Sequence, residues 1–436
     1  VLLLGAAFAA PLGTAGAEGQ SAPAEDEYRV YVGAESADLL HRVRLGPDGL
    51  QVEATIPVSR LWEQSGIGHL QTEHESPHGV AVDADGGIVW MTTGHGLPDG
   101  KLWKVEAGTG RLLADPLDLG RFPASVDVSP DGRTVWVANF NLHGRMEPSS
   151  ISVVWAPDMV EIARIDTCTM PHGSRVHPRG HLHYSTCMMD DQLVEIGVEA
   201  LEVTRRLLLT PGAEEALDPG DMGVHGGHHG DGHDHGDHGA DDDDAHDHDA
   251  HHHDDAHGDH GDDPARGPEL PVHPPAECSP TWVQPSHGGD RAWVACNRSD
   301  QVVEVDLERW EVTRRFDTGR GPYNVDVTAD DRLLVVTLKQ GDAVEVLDLE
   351  AGRTVASLPT STTVVHGIAL SPDSRWAFIS VEGVGDEPGR VDVVDLESLE
   401  VAASVEVGQQ ASGIGFWQVG AAGGARAPAA TAEGAR

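Results

Sequence analysis

Positive charge is what this chain has little of. Only 29 Lys and Arg stand against 72 Asp and Glu, a formal net charge of −43, and no Lys or Arg occurs between Arg206 and Arg266. Such a surface repels phosphates and anionic lipid and attracts cations, so nucleic acid is not expected as a partner. Long apolar runs are missing as well. The stretch 1–10 is far short of the about 20 residues that a membrane-spanning helix needs, so no membrane insertion is expected. With Ala15-Gly16-Ala17 behind it, a small-x-small pattern, it reads as the back half of a secretory signal over residues 1–17. A disordered lead over 18–27 and a periplasmic or otherwise exported location follow. Cysteine is scarce: Cys168, Cys187, Cys278 and Cys296 are all there are. An even count in an exported chain reads first as disulfides. No paired catalytic carboxylates and no nucleophile motif stand out, so an enzyme is not expected.

What is present is repetition. Residues 122–132 alternate as a strand into Pro130-Asp131-Gly132, and Thr134-Val135-Trp136-Val137-Ala138-Asn139 alternates out again, the pattern of a β-hairpin. Matching units begin at Pro77, Pro171, Pro280, Pro322, Val365 and Ala411. In the units opening at Pro77, Pro123, Pro171 and Pro280 the same distance leads to the end of the second strand, at Thr93, Asn139, Cys187 and Cys296. Two further strands follow each hairpin, and four strands in a period of roughly 40 to 45 residues are the signature of propeller blades. Six units are complete. The seventh, at 411–417, supplies an inner strand only, and residues 29–33, 39–44 and 52–56 supply strands that lack one. The expected fold is therefore all-β: a seven-bladed propeller of four-stranded blades over residues 28–419, its last blade closed by both termini so that no sheet edge is left open.

The residue after each opening position falls at the start of the innermost strand, beside the central channel. Its occupants are His78, Ala124, His172, Thr281, Tyr323, His366 and Ser412. Three histidines at one repeat position, on the first, third and sixth blades, are expected to surround an ion at the channel mouth, with His74, Glu75 and His95 as further candidates. Taken singly, each reads sooner as a structural histidine, capping a strand or bonded to a neighbouring carbonyl. The cysteines obey the repeat too. Cys187 and Cys296 end second strands, and Cys168 and Cys278 precede inner strands of the same blades, so pairing within each blade, Cys168–Cys187 and Cys278–Cys296, is favoured. The rival is thiolate ligation of copper, with Met170, Met188 and Met189 as soft neighbours.

One segment departs from the repeat. Residues 210–275 interrupt the array between the third and fourth blades and are expected to be disordered, as is the Ala/Gly-rich tail 420–436. The interruption carries half of the chain's 26 histidines: His225, His228, His229, His233, His235, His238, His246, His248, His251, His252, His253, His257 and His260, interleaved with aspartates. Neutral imidazole and carboxylate are ligands that zinc prefers, and an imidazole with a pKa near ~6.5 offers its lone pair at neutral pH. Because it joins an outer strand to an inner one, the segment is expected to hang over the mouth that presents His78, His172 and His366, at high effective concentration.

The Trp-Val-Ala-Asn and Asp-Gly pattern resembles the YVTN propeller repeats over nearly all of 29–417 outside the interruption. With the Pro-His-Gly repeats and the His-Asp-His run, the chain resembles the exported zinc metallochaperones of the AztD type. That resemblance implies zinc as the metal, with copper as the alternative. It implies capture by the His/Asp segment and the mouth, and delivery to a periplasmic zinc solute-binding protein of an ABC importer. A monomer is expected. A copper-dependent propeller oxidoreductase, a propeller lactonase, and a protein-interaction propeller whose histidines are incidental are the competing readings.

Overall fold

The computed structural model describes residues 25–67, 75–83, 85–95, 97–221 and 276–421 of the 436. The expected signal (1–17), most of the lead, the tail from 422, His74 and all thirteen histidines from His225 to His260 lie outside the described residues.

Seven sheets stand around a common channel. The first blade comprises Val80–Asp83, Ile88–Thr93, Lys101–Glu106 and Leu117–Asp118, and the second Pro123–Val128, Thr134–Asn139, Pro148–Trp155 and Val160–Thr169. The third holds Pro171–Val176, Leu182–Cys187, Gln192–Gly197 and Glu202–Leu208. The inner strands of the next three are Pro280–Pro285, Pro322–Val327 and Val365–Leu370. In the seventh, Ala411–Ala421 pairs antiparallel with Asp26–Ala34, which continues into Leu39–Gly46 and Gly49–Pro57. The seven blades and the closure by both ends are as the repeat predicts.

Burial follows from stacking. Second strands such as Leu333–Leu338 and Trp376–Val381 are buried along their whole length because another blade covers each face. Outer strands such as Glu311–Asp317 expose alternate residues, as a sheet rim must. Each apolar cluster mixes neighbouring blades: Trp282, Trp293 and Phe316 pack with Val325, Val336 and Leu347. The hairpin turns repeat one device. The Ser129, Thr328 and Ser371 hydroxyls donate to Asp131, Asp330 and Asp373, two residues on.

A second device bears on function. The residue just before each inner strand or opening Pro has positive φ: Ser76, Phe122, Met170, Ser279, Gly321, Val364 and Gln410. The chain therefore kinks once per blade at the same end of the channel. For six of these seven L-residues occupy a region that costs about 1–2 kcal/mol each.

Two elements were not legible in the repeat. Val58–Ser65 is a helix that buries Val58, Leu61 and Trp62, the last edge-on to Trp103 with centroids 5.0 Å apart. Glu215–Leu217 is a fifth strand on the third blade, paired with Arg206–Leu208, so the stretch expected to be disordered from residue 210 begins with ordered chain. Among the described residues no helix is long and apolar enough to cross a membrane.

Candidate functional site

The kink aims the next-but-one residue at the axis. His78, His172, Tyr323 and His366 are all buried, and so are Ala124, Thr281 and Ser412 at the same repeat position. With Phe122 and Phe140 the four polar rings form a closed circuit across the channel. The centroid distances are 4.9 Å from His78 to Phe122, 5.7 Å to Phe140, 4.8 Å to His172, 5.3 Å to Tyr323, 4.9 Å to His366 and 5.1 Å back to His78. The three histidines thus meet at one end of the channel, as the repeat position predicts.

They do not meet as three equivalent ligands. His172 donates Nδ1–H to the Thr281 carbonyl at 2.8 Å, so its Nε2 accepts from the Tyr323 hydroxyl at 2.9 Å. Both nitrogens are spent. Burial drives its pKa down to about 3, and the Thr281 carbonyl opposes that shift without cancelling it. His366 is also held well below the ordinary value, by burial and then by the Lys339 charge. Its Nε2 has no hydrogen-bond partner, and the Glu382 carboxylate stands 3.9 Å away. His78 offers the clearest open ring nitrogen. Its Nδ1 is 2.6 Å from Glu35 Oε1, and its buried Nε2 has no hydrogen-bond partner.

Glu35 organises this half of the mouth. It is 2 % exposed, and its second oxygen lies 2.8 Å from Nδ1 of His95. Burial alone would raise its pKa, but the imidazoles of His78 and His95 outweigh that and hold it down to about 2. A carboxylate on Nδ1 fixes the tautomer and turns Nε2 outward as a ligand, the arrangement found behind metal-bound histidines. His95 stacks on Phe122 at 4.4 Å and against His143 at 5.6 Å, toward solvent. On the other side, half-buried Lys339 donates to Glu382 at 2.8 Å and lies 4.2 Å from the Tyr323 ring centroid. Burial would lower the Lys339 pKa, yet Tyr323 and Glu382 raise it, and burial pushes Tyr323 up to about 12.

Glu75, another sequence candidate, accepts instead from the Thr93 hydroxyl at 3.0 Å. Among the described residues no three His, Cys, Asp or Glu side chains are disposed to hold one ion. The mouth offers a pair, His78 and His366, with carboxylates behind and beside it.

All four cysteines are paired, Cys168–Cys187 and Cys278–Cys296, so no thiolate remains for the copper reading. The pairs are the expected ones, but only the second lies within a blade: Cys168 is on the outer strand of the second blade, so its bond to Cys187 ties that blade to the third. Met170 and Met188 pack against the Phe122–Phe140 cluster.

The interruption leaves and re-enters at the mouth end. Asp191, in the turn beside the strand end Cys187, accepts from the Thr210 hydroxyl on the departing chain at 3.0 Å. It also accepts from the backbone N–H groups of Glu277, Cys278 and Ser279 on the returning chain, at 2.7, 3.1 and 2.7 Å. Asp221, the last described residue before the gap, gives its carbonyl to Gln192 Nε2 at 3.4 Å. Both stems are therefore held within one turn of blade three.

Sequence reasoning missed Glu35, Lys339 and Glu382. The signal existed: all three directly follow the end of a second strand (Ala34, Leu338, Val381), a repeat position that Phe140 and Met188 also occupy beside the rings.

No family model matches the chain, and no curated protein does. Solved structures match in fold. A putative phosphogluconolactonase from Bacteroides uniformis superposes with a TM-score of 0.57 at 13% identity, covering 90% of this chain and 99% of its own. Hydrazine synthase of Kuenenia stuttgartiensis gives 0.53 at 16%, covering 79% and 91%. The β-propeller domain of Cps50 (Swd1) from Myceliophteria thermophila gives 0.51 at 11%, covering 77% and 88%. At these identities the likeness is one of fold alone, and propellers host many unrelated activities.

Proposed function

We propose that this chain is an exported zinc-binding protein, a metallochaperone that takes up zinc with its His/Asp segment and the histidine mouth and passes it to a solute-binding protein of an ABC importer. The observation that carries this reading is the Glu35–His78 pair facing His366: two buried imidazoles, each with an Nε2 that has no hydrogen-bond partner, one of them oriented by a carboxylate on its Nδ1. Zinc is the cargo, and those two nitrogens are the groups that would receive it.

A mouth with two open imidazole nitrogens is an incomplete site. Zinc seeks four ligands, so the ion at the mouth completes its shell with side chains of the tethered segment or with water, and ligands exchange one at a time. Partial occupancy by protein suits transfer better than storage does. Both stems of the segment are fixed at Asp191 and Gln192, at the mouth end, which shortens the span the segment must cover. Disulfides are sustained in an oxidising compartment, which agrees with export.

Competition titration with a chromophoric chelator tests the reading on three proteins: intact, lacking residues 222–275, and His78→Ala/His366→Ala. The deletion is expected to slow zinc loading while a mouth site persists; the double substitution is expected to abolish that site in the deleted background. Zinc binding by the deleted protein that is unchanged by the double substitution would refute the mouth assignment. Failure of the loaded protein to release zinc to any periplasmic zinc-binding receptor would refute the chaperone role.

A further inference from the structure

The other end of the channel carries a second ring of side chains, at the fifth residue of the inner-strand units. Blades one, six and seven place small residues there side by side: Ala81, Ala369 and Gly415. Across from them stand Asp127, Arg175 and Asp326, on blades two, three and five. The small residues leave room, and a cavity of about 200 Å³ opens between the two groups, walled by Val126, Val128, Ile368, Leu370, Ile414 and Phe416. A narrow extension of about 20 Å³ leads inward past Arg175 to Trp282 and Asn324, beneath His366.

The polar groups of this lumen are only partly satisfied. Asn324 is 3 % exposed and its Oδ1 has no hydrogen-bond partner; Trp282 is 8 % exposed and its Nε1–H likewise has none. Arg175 lies over the Trp282 ring, 4.6 Å from the centroid, and donates to the Ser174 carbonyl at 2.9 Å, one use among five N–H groups. Asp127 Oδ2 accepts from Val176 N at 2.8 Å, and Asp326 accepts from Val327 N at 2.9 Å and Leu370 N at 3.3 Å. Burial pushes both carboxyls up in pKa, against the Arg175 charge.

Arg175 lines both spaces: it shares the larger with the Asp127 and Asp326 carboxyls, and the narrow extension with Trp282 and Asn324. A lone anion would meet the carboxylates, and a lone cation would meet the guanidinium. A zwitterion satisfies both sets. The remaining wall is apolar, and the volume is below the roughly 300 Å³ at which drug-sized sites begin.

We propose that this end of the channel binds a free α-amino acid with an apolar side chain, its carboxylate on Arg175, its ammonium on the Asp127/Asp326 pair, and its side chain against Ile368, Leu370 and Phe416. The site is independent of the zinc reading, since neither His78 nor His366 lines the cavity that Arg175 shares with Asp127 and Asp326.

Isothermal titration of the full chain with L-leucine, isocaproate and isoamylamine tests it. Leucine is expected to bind, and each analogue, lacking one charge, to bind at least about tenfold more weakly, the worth of one charge-assisted hydrogen bond. Arg175→Met is expected to weaken leucine by a similar factor, while His78→Ala leaves it unchanged. Absence of leucine binding at millimolar concentration overturns the proposal, and so does an analogue that binds as well as leucine. If Arg175→Met fails to fold, the analogue series on the unaltered protein still decides.

Discussion

Glu35 and His78 are joined at 2.6 Å although one sits on the seventh blade and the other opens the first. The bond crosses the seam between the blade that closes the ring and its neighbour, and it leaves Nε2 of His78 without a hydrogen-bond partner.

Glu35→Gln keeps the shape and removes the charge. In the protein lacking residues 222–275 it is expected to weaken zinc binding about 10- to 100-fold, the usual cost of losing a carboxylate behind a ligating histidine. Chelator competition reads the change. An affinity equal to that of the unsubstituted deletion protein would mean that His78 does not receive the ion.

Acid should destabilise this protein well before its carboxylates titrate. His172 and His183 have pKa values of about 3 in the folded chain, lowered by burial, against about 6.5 unfolded. Between those limits the unfolded chain binds protons that the folded chain does not. Stability is therefore full above about pH 6.5 and falls as pH drops toward 3, by roughly 1.4 kcal/mol per pH unit for each histidine. Urea unfolding at a series of pH values measures the slope, and a flat profile between pH 7 and 5 would contradict it.

His183 supplies the control. It stacks on Trp136 with centroids 4.6 Å apart, and neither of its buried ring nitrogens has a hydrogen-bond partner. Replacing it with Phe removes an unsatisfied polar group worth about 1–3 kcal/mol and keeps the ring contact. His183→Phe is expected to raise the urea midpoint and to remove one proton from the pH slope. A lower midpoint would show that the larger ring does not fit.

Asp191→Ala removes the acceptor of three backbone N–H groups and of the Thr210 hydroxyl. Leaving those donors unpaired is expected to cost about 2–4 kcal/mol. Limited proteolysis should then cut near residues 210 and 277 before the blades open. Unchanged cleavage would mean that the Cys278–Cys296 disulfide alone fixes the returning chain.

The fold was legible because a circular array repeats its errors and its signals alike. The Pro-to-strand-end spacing fixed the register, and the register put His78, His172 and His366 at one end without any contact being known. Hydrogen bonding was not legible. Whether His172 was free depended on the Thr281 carbonyl of the next blade and on the Tyr323 hydroxyl of the one beyond, and both nitrogens proved occupied. Glu35 escaped notice because its blade is split between the two ends of the sequence, so it had no hairpin copy to be compared with. The helix Val58–Ser65 and the strand Glu215–Leu217 lie in connections, where the repeat imposes nothing.

The strand Asp26–Ala34 both zips onto Ala411–Ala421 and delivers the buried acid that follows it. Trimming the last strand would therefore unfasten the circle and withdraw the counter-charge from His78 in a single event, so integrity of the ring and competence of the mouth stand or fall together.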